Sequence, residues 1–410
     1  MKQVNRRRGS IALAAFLAAG VWASADALDL PLTPVPSSGA SVQVVASGLD
    51  DPRGLAFGPD GGLYVAEAGT TESVFVGPPP PPPQEPPTRT RCEIYWPVGP
   101  ATPGYTGRIS RVGRAGDVSV IASGLPSFAA NMLIGGDRLG VAAVAFRGSK
   151  LYAVVNGAGC SHGHPSEPNA LHRVLGDGTT VPLADLSNFL RSNTDSKDPA
   201  APDFEPDGTW FNLVRAFGAF YMTDPNHGVL VRVENNGAIT RVADLYDAVR
   251  QLDGDGDRTY SALTQHKGAF YVGTLGRIDD GFAGAVYRVA RDGSNVRQVA
   301  RGLHGVLGIA FDRQGRLYAL ETTAPSAGPP LSDPSLGRLV RVERDGSLTP
   351  IVTNLSFPTA LIVGPRGDFY VSNCGYHCDD TSRIPLSRPS LRTGQVLRIC
   401  ISDGASECDE

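Results

Sequence analysis

The sequence has no excess of charge of either sign: 37 Lys and Arg stand against 41 Asp and Glu, a formal net charge of -4 over 410 residues. That balance supplies no broad pull toward nucleic acid or an anionic membrane, so the expected partner is a small molecule, a glycan or a protein. After the first 25 residues no stretch of about twenty apolar residues occurs, and no membrane span is expected. Familiar catalytic signatures are missing as well. There is no G-x-S-x-G turn, no Gly-rich phosphate loop between strand and helix, and Ser161 beside His162 forms no nucleophile motif. Histidine is scarce: His162, His164, His172, His227, His266, His304 and His377. His162, His164 and His227 fall in or near long connections and His304 enters a strand of the fifth repeat; these four could act as bases or metal ligands, but no spacing demands it.

What is abundant is turn-forming residues, 49 Gly and 33 Pro beside 41% hydrophobic residues, a composition of many short strands around a sizeable core. The first residues read as a leader: Lys2 and Arg6 to Arg8, an apolar run from Ile11 to Trp22, then Ala23-Ser24-Ala25. The expectation is a signal peptide over 1–25, the general secretory route, and a periplasmic or secreted product. Six cysteines fit an oxidising compartment: Cys92, Cys160, Cys374, Cys378, Cys400 and Cys408. Cys374 with Cys378 and Cys400 with Cys408 are the short-range pairings; a zinc site at Cys374 and Cys378, with His377 between them, is the rival reading.

One phrase recurs six times, an apolar residue followed by Tyr and further apolar residues: Leu63-Tyr64-Val65, Leu151-Tyr152-Ala153, Phe220-Tyr221-Met222, Phe270-Tyr271-Val272, Leu317-Tyr318-Ala319 and Phe369-Tyr370-Val371. A strand and tight turn precede the clearest copies, and a third strand ends in Arg plus a β-branched residue: Arg111, Arg173, Arg232, Arg288, Arg341 and Arg398. A Gly-bearing turn and a fourth strand follow the first five. Six four-stranded antiparallel sheets predict an all-β, six-bladed β-propeller. The last repeat stops after its third strand, whereas Val42 to Ala46 looks like a fourth; pairing the two ends closes the ring and hides its edges. The expected layout is a 26–41 extension, a 42–401 propeller and a 402–410 tail.

Turns after first strands are short, whereas the connections after second strands and between blades include long ones, so the long connections gather on one face. That face is the expected site, around the channel mouth. One of its connections carries Pro78 to Pro83 and Pro86-Pro87, a polyproline II spacer or docking segment. Where second strands emerge there, the chain places Glu67, Asp224, Thr274, Glu321 and Asn373, with Asn156 one residue later in blade two. Such a ring of oxygens could hold a hard cation, or each side chain could bond loop backbone. Asp253, Asp255 and Asp257 alternate with Gly and imitate the start of a Ca²⁺ loop, without the Glu expected at the twelfth position; a solvated acidic turn is the alternative.

The run Val45 to Gly69, together with Thr106-Gly107-Arg108-Ile109, Tyr221-Met222-Thr223-Asp224, Tyr271-Val272-Gly273-Thr274 and Gly394 to Ile399, resembles the ScyD/ScyE family. Shorter phrases such as Pro52-Arg53-Gly54 are similar to NHL-repeat, quinone-dependent sugar dehydrogenase and gluconolactonase-like propellers. The ScyD/ScyE resemblance implies an exported propeller without a settled activity; Thr274 stands where that family carries an acidic residue. Two functions follow as expectations. One is a binding or scaffold protein working through its loop-rich face. The other is a metal-assisted hydrolase or lyase acting on a small molecule or glycan at the channel mouth, with Glu67, Asp224, Glu321 and Asn373 as ligands or bases.

Overall fold

A computed structural model describes residues 30–71, 102–130, 138–199, 201, 204–277, 280–323, 334–376, 378 and 393–402. The leader, the proline run, Cys92, His377, Cys408 and the last eight residues lie outside them. Six antiparallel sheets form, each contributing four strands to the ring. Blade one starts at Pro52–Phe57, and blades two to six start at Val141–Arg147, Val214–Ala216, Ala262–His266, Val306–Phe311 and Ala360–Val363. Closure follows the expectation: Ala40–Leu49 pairs with Gly394–Ile401, so the N-terminal strand is the fourth strand of blade six. Before it, Val35–Pro36 adds a fifth strand at the edge of blade five, against Val352 and Thr353.

The repeat Tyr has a packing reason. Each one meets a Phe of the following blade: Tyr64 with Phe146, Tyr152 with Phe220, Tyr221 with Phe270, Tyr271 with Phe311 and Tyr318 with Phe369, and Tyr370 returns to Phe57. Ring centroids lie 4.5 to 5.0 Å apart, within the range where an aromatic pair contributes about 0.5–1.5 kcal/mol beyond its buried area. One such pair at every interface makes the circle self-consistent. The repeat Arg is its cross-strand partner: Tyr64 opposes Arg111, and the same register holds for Tyr152 with Arg173, Tyr221 with Arg232, Tyr271 with Arg288, Tyr318 with Arg341 and Tyr370 with Arg398.

Blades are also spaced by glycines in the turns between third and fourth strands. A Cβ on Gly237 would lie 2.0 Å from the carbonyl oxygen of Leu183 in the preceding blade, and one on Gly293 would lie 1.7 Å from that of Val242. Both have φ near +90°, so only glycine meets the backbone conformation and the approach together.

Some stretches expected as irregular connections are ordered. In blade one the third strand begins at Thr102 and the fourth runs on to Ala129, where Arg138–Leu139 pairs with it. Short helices, Leu186–Ser192 and Leu245–Asp253, open the connections leaving blades two and three, each capped by an Asp side chain, Asp185 and Asp244. No described helix is long and apolar enough to cross a membrane.

Candidate functional site

First strands are innermost. Residues from all six starts, among them Gly54, Val144, Asn212, Thr264, Gly308 and Leu361, line a cavity of 330 Å³ that forms the central channel. Its lining side chains are mostly apolar, with Asn212, Thr264, Gln265 and His266 as the polar exceptions. Asn212 is held at the loop-rich end, its Nδ2 donating to the Ser261 carbonyl at 2.5 Å. His266, at the short-turn end, stacks on Phe311 with centroids 4.0 Å apart, and burial lowers its pKa.

The six side chains expected at the mouth are buried, and each is turned to main chain. Glu67 accepts the Asp50 N–H at 2.5 Å, Asn156 the Gly140 N–H at 3.0 Å and Asp224 the Thr209 N–H at 2.7 Å. Glu321 accepts the His304 N–H at 2.6 Å and Asn373 the Ser356 N–H at 2.9 Å. The five donors lie 15 to 17 residues upstream, on the connector that enters the same blade. Thr274 differs: its Oγ1 accepts the Ala285 N–H at 3.0 Å, from the third strand. The two glutamates are also ion-paired, Glu67 with Arg108 at 2.7 Å and Glu321 with Arg338 at 2.5 Å. Burial raises the pKa of Asp224. These groups tie each connector to the end of its second strand, a role visible in sequence only through that near-constant spacing.

The acidic turn is likewise divided among partners. Asp253 accepts from the Tyr287 hydroxyl at 2.5 Å, Asp255 from the Asp257 N–H at 3.0 Å, and Asp257 pairs with Lys197 at 3.0 Å. Among the described residues no group of three or more His, Cys, Asp or Glu side chains is placed to hold a metal ion. The zinc reading of Cys374 and Cys378 is corrected: the two form a disulfide, with Cα atoms 5.2 Å apart, and no thiolate is left to ligate. Cys160 and Cys400 are disulfide-bonded as well.

A cluster that sequence reading did not assemble lies between the connections of blades two and three. His227 is fully buried; its Nε2 donates to the Glu205 carbonyl at 2.7 Å, and its Nδ1 lies 2.9 Å from Asp195 Oδ2. Burial pulls its pKa down, but the bond to Asp195 and the charges of Asp224 and Asp195 outweigh it, and the net shift is upward. His162 donates from Nδ1 to the Ala158 carbonyl at 2.7 Å, while its Nε2 lies 3.7 Å from Glu205 Oε2, too far for a hydrogen bond. Its pKa is raised too, the Glu205 carboxylate outweighing burial. Asp207 completes the group, accepting from the Ser161 N–H and hydroxyl, both at 2.8 Å, and pairing with Arg191 at 2.6 Å. Both imidazoles are closed to solvent, so this cluster braces the loops. Two further histidines are engaged as well: His164 Nε2 bonds the Ser127 carbonyl at 2.9 Å, and His304 Nδ1 lies 3.3 Å from that of Gly281.

No protein-family model matches the chain, and no curated protein matches it. Among solved structures, the chain is similar to six-bladed propeller proteins. Virginiamycin B lyase from Staphylococcus aureus is 12% identical, covering 88% of this chain and 99% of that one with a TM-score of 0.44. A gluconolactonase from Xanthomonas campestris is 12% identical, covering 88% and 97% with a TM-score of 0.45. An auxiliary nutrient binding protein from Bacteroides thetaiotaomicron is 9% identical, covering 89% and 77% with a TM-score of 0.48. No activity is read from such distant likenesses.

Proposed function

We propose that the protein is an exported binding or scaffold propeller, akin to the ScyD/ScyE proteins it resembles, which holds a small molecule, glycan or protein on its loop-rich face. The observation that supports this most is the engagement of the strand-end oxygens. Five of the six brace incoming connectors through main-chain N–H groups, an arrangement suited to a rigid platform rather than to acid-base or metal chemistry at the mouth. Export is supported by the leader-like N-terminus and by the Cys374–Cys378 disulfide.

The test is hydrogen exchange on the mature protein with a panel of saccharides, peptides and small metabolites, run with and without chelator. Protection over 156–169 and 193–209 by a ligand recovered unchanged supports the proposal. A ligand that is consumed, and only when divalent metal is present, replaces it with the hydrolase or lyase reading.

A further inference from the structure

On the opposite, short-turn face, two interblade grooves occupy equivalent places in the repeat, and their difference is informative. One lies between blades three and four, the other between blades six and one. In the first, Thr240 opposes Arg232, which opposes Tyr221; in the second, Gln43 opposes Arg398, which opposes Tyr370. Arg291 and Arg114 take the same position in the turn that overhangs each groove, two residues before Gly293 and Gly116.

In the 590 Å³ groove between blades three and four the guanidinium groups are already engaged. Arg232 pairs with Glu234 at 2.6 Å, Arg241 donates to the Asn193 and Thr194 carbonyls, and Arg291 lies 4.2 Å above the Phe217 ring. The buried Nε–H groups of Arg232 and Arg241 stay unbonded there, and Asp292 adds a carboxylate to the wall.

The 710 Å³ closure groove has no acidic side chain in its lining. Arg398 is matched by Asp368 at 2.8 Å, and Asp60 of the neighbouring turn by Arg111 at 2.7 Å. Arg114 and Arg366 are exposed, line the groove from opposite blades, and have no hydrogen-bonding or ion-pair partner among the described residues. Between them Val45, Phe57, Leu63, Val112 and Tyr370 supply the apolar part of the wall, beside Gln43 and the paired Arg398. Two unmatched guanidinium forks over an apolar floor suit one ligand chemistry: a flat apolar body carrying an oxyanion.

The geometry points to this groove as a second binding site, one for small amphipathic oxyanions such as aryl carboxylates, distinct from the loop-rich face and independent of what that face binds. The N-terminal strand forms one wall through Gln43 and Val45, so the site exists only once the ring is closed.

Calorimetric titration of the full mature protein with 1-naphthoate tests it, with 1-naphthalenemethanol and inorganic phosphate as comparison probes. Naphthoate is expected to bind and to weaken with added salt, the neutral alcohol to bind at least about tenfold more weakly. Arg114→Gln and Arg366→Gln should each weaken naphthoate about tenfold, with unchanged thermal melting, whereas Arg291→Gln in the opposite groove should leave it unaltered. Equal binding of acid and alcohol, phosphate binding as tight as naphthoate, absence of naphthoate binding, or full affinity in the Arg114→Gln, Arg366→Gln double variant would overturn the assignment.

Discussion

The two faces of the disc use charged side chains in opposite ways. On the loop-rich face Glu67, Asp195, Asp207, Asp224, His227 and Glu321 are buried and each has a protein partner. On the short-turn face most charges are more exposed, paired side chain to side chain as in Asp60 with Arg111 and Arg232 with Glu234, or left open to solvent, as at Arg114 and Arg366. A conspicuous carboxylate at a channel mouth is thus a worse guide to free chemistry than an ordinary turn arginine. Burial decides which groups must be matched inside the protein.

The sharpest way to break that contrast is Glu67→Ala. It removes a buried acceptor from Arg108, Ser110 and the Asp50 N–H together, and should cost about 3–5 kcal/mol by denaturant unfolding. A cost within the range of a surface change would mean the strand-end oxygens are not braces. Next in size, Gly293→Ala should cost about 2–3 kcal/mol, because its Cβ meets the Val242 carbonyl oxygen. Gly346→Ala, with nothing within 4 Å but φ at +87°, should cost only about 1 kcal/mol. Equal losses would show that backbone conformation alone, and not blade spacing, selects these glycines.

Asn373→Ala leaves the Ser356 N–H without its acceptor and should cost about 1–3 kcal/mol. The histidines predict a pH signature with two signs. The raised pKa of His227 gives stability that is complete below its ordinary value of 6.5 and lost as pH rises through the folded value. Thermal melting should therefore fall above pH 6.5, less so in Asp195→Asn. His172 acts oppositely: burial pushes its pKa down to about 4, so its contribution is lost as pH falls from 6.5 toward 4. The smallest effect belongs to the surface: Arg232→Gln should change stability by no more than about 0.5 kcal/mol.

The sequence carries the architecture almost whole because the fold is a repeat, and repeated contacts leave repeated residues. The six Tyr and six Arg positions are legible for that reason, and so is the missing fourth strand of blade six. Elements outside the repeat left no such trace: Val35–Pro36 is two residues long, and the helices Leu186–Ser192 and Leu245–Asp253 are set by single Asp caps inside connections. At the site, the positions of Glu67, Asp224, Glu321 and Asn373 could be read, but not their partners, which are main-chain N–H groups and have no sequence identity. The cluster of His162, Asp195, Glu205 and His227 joins residues up to 65 apart on different connections, with no local pattern to announce it.

The clasp between Ala40–Leu49 and Gly394–Ile401 also sets an order of events. Its strands are separated by more than three hundred residues, as in the Ser402 N–H bond to the Gly39 carbonyl. The strand Ala40–Leu49, made early, is therefore the last to find its place, and until Gly394–Ile401 arrives both it and Phe369–Asn373 of blade six present raw edges. A chain emerging gradually from synthesis would wait, open-ended, for that strand; deleting either member of the clasp should produce not a smaller ring but an unclosed one.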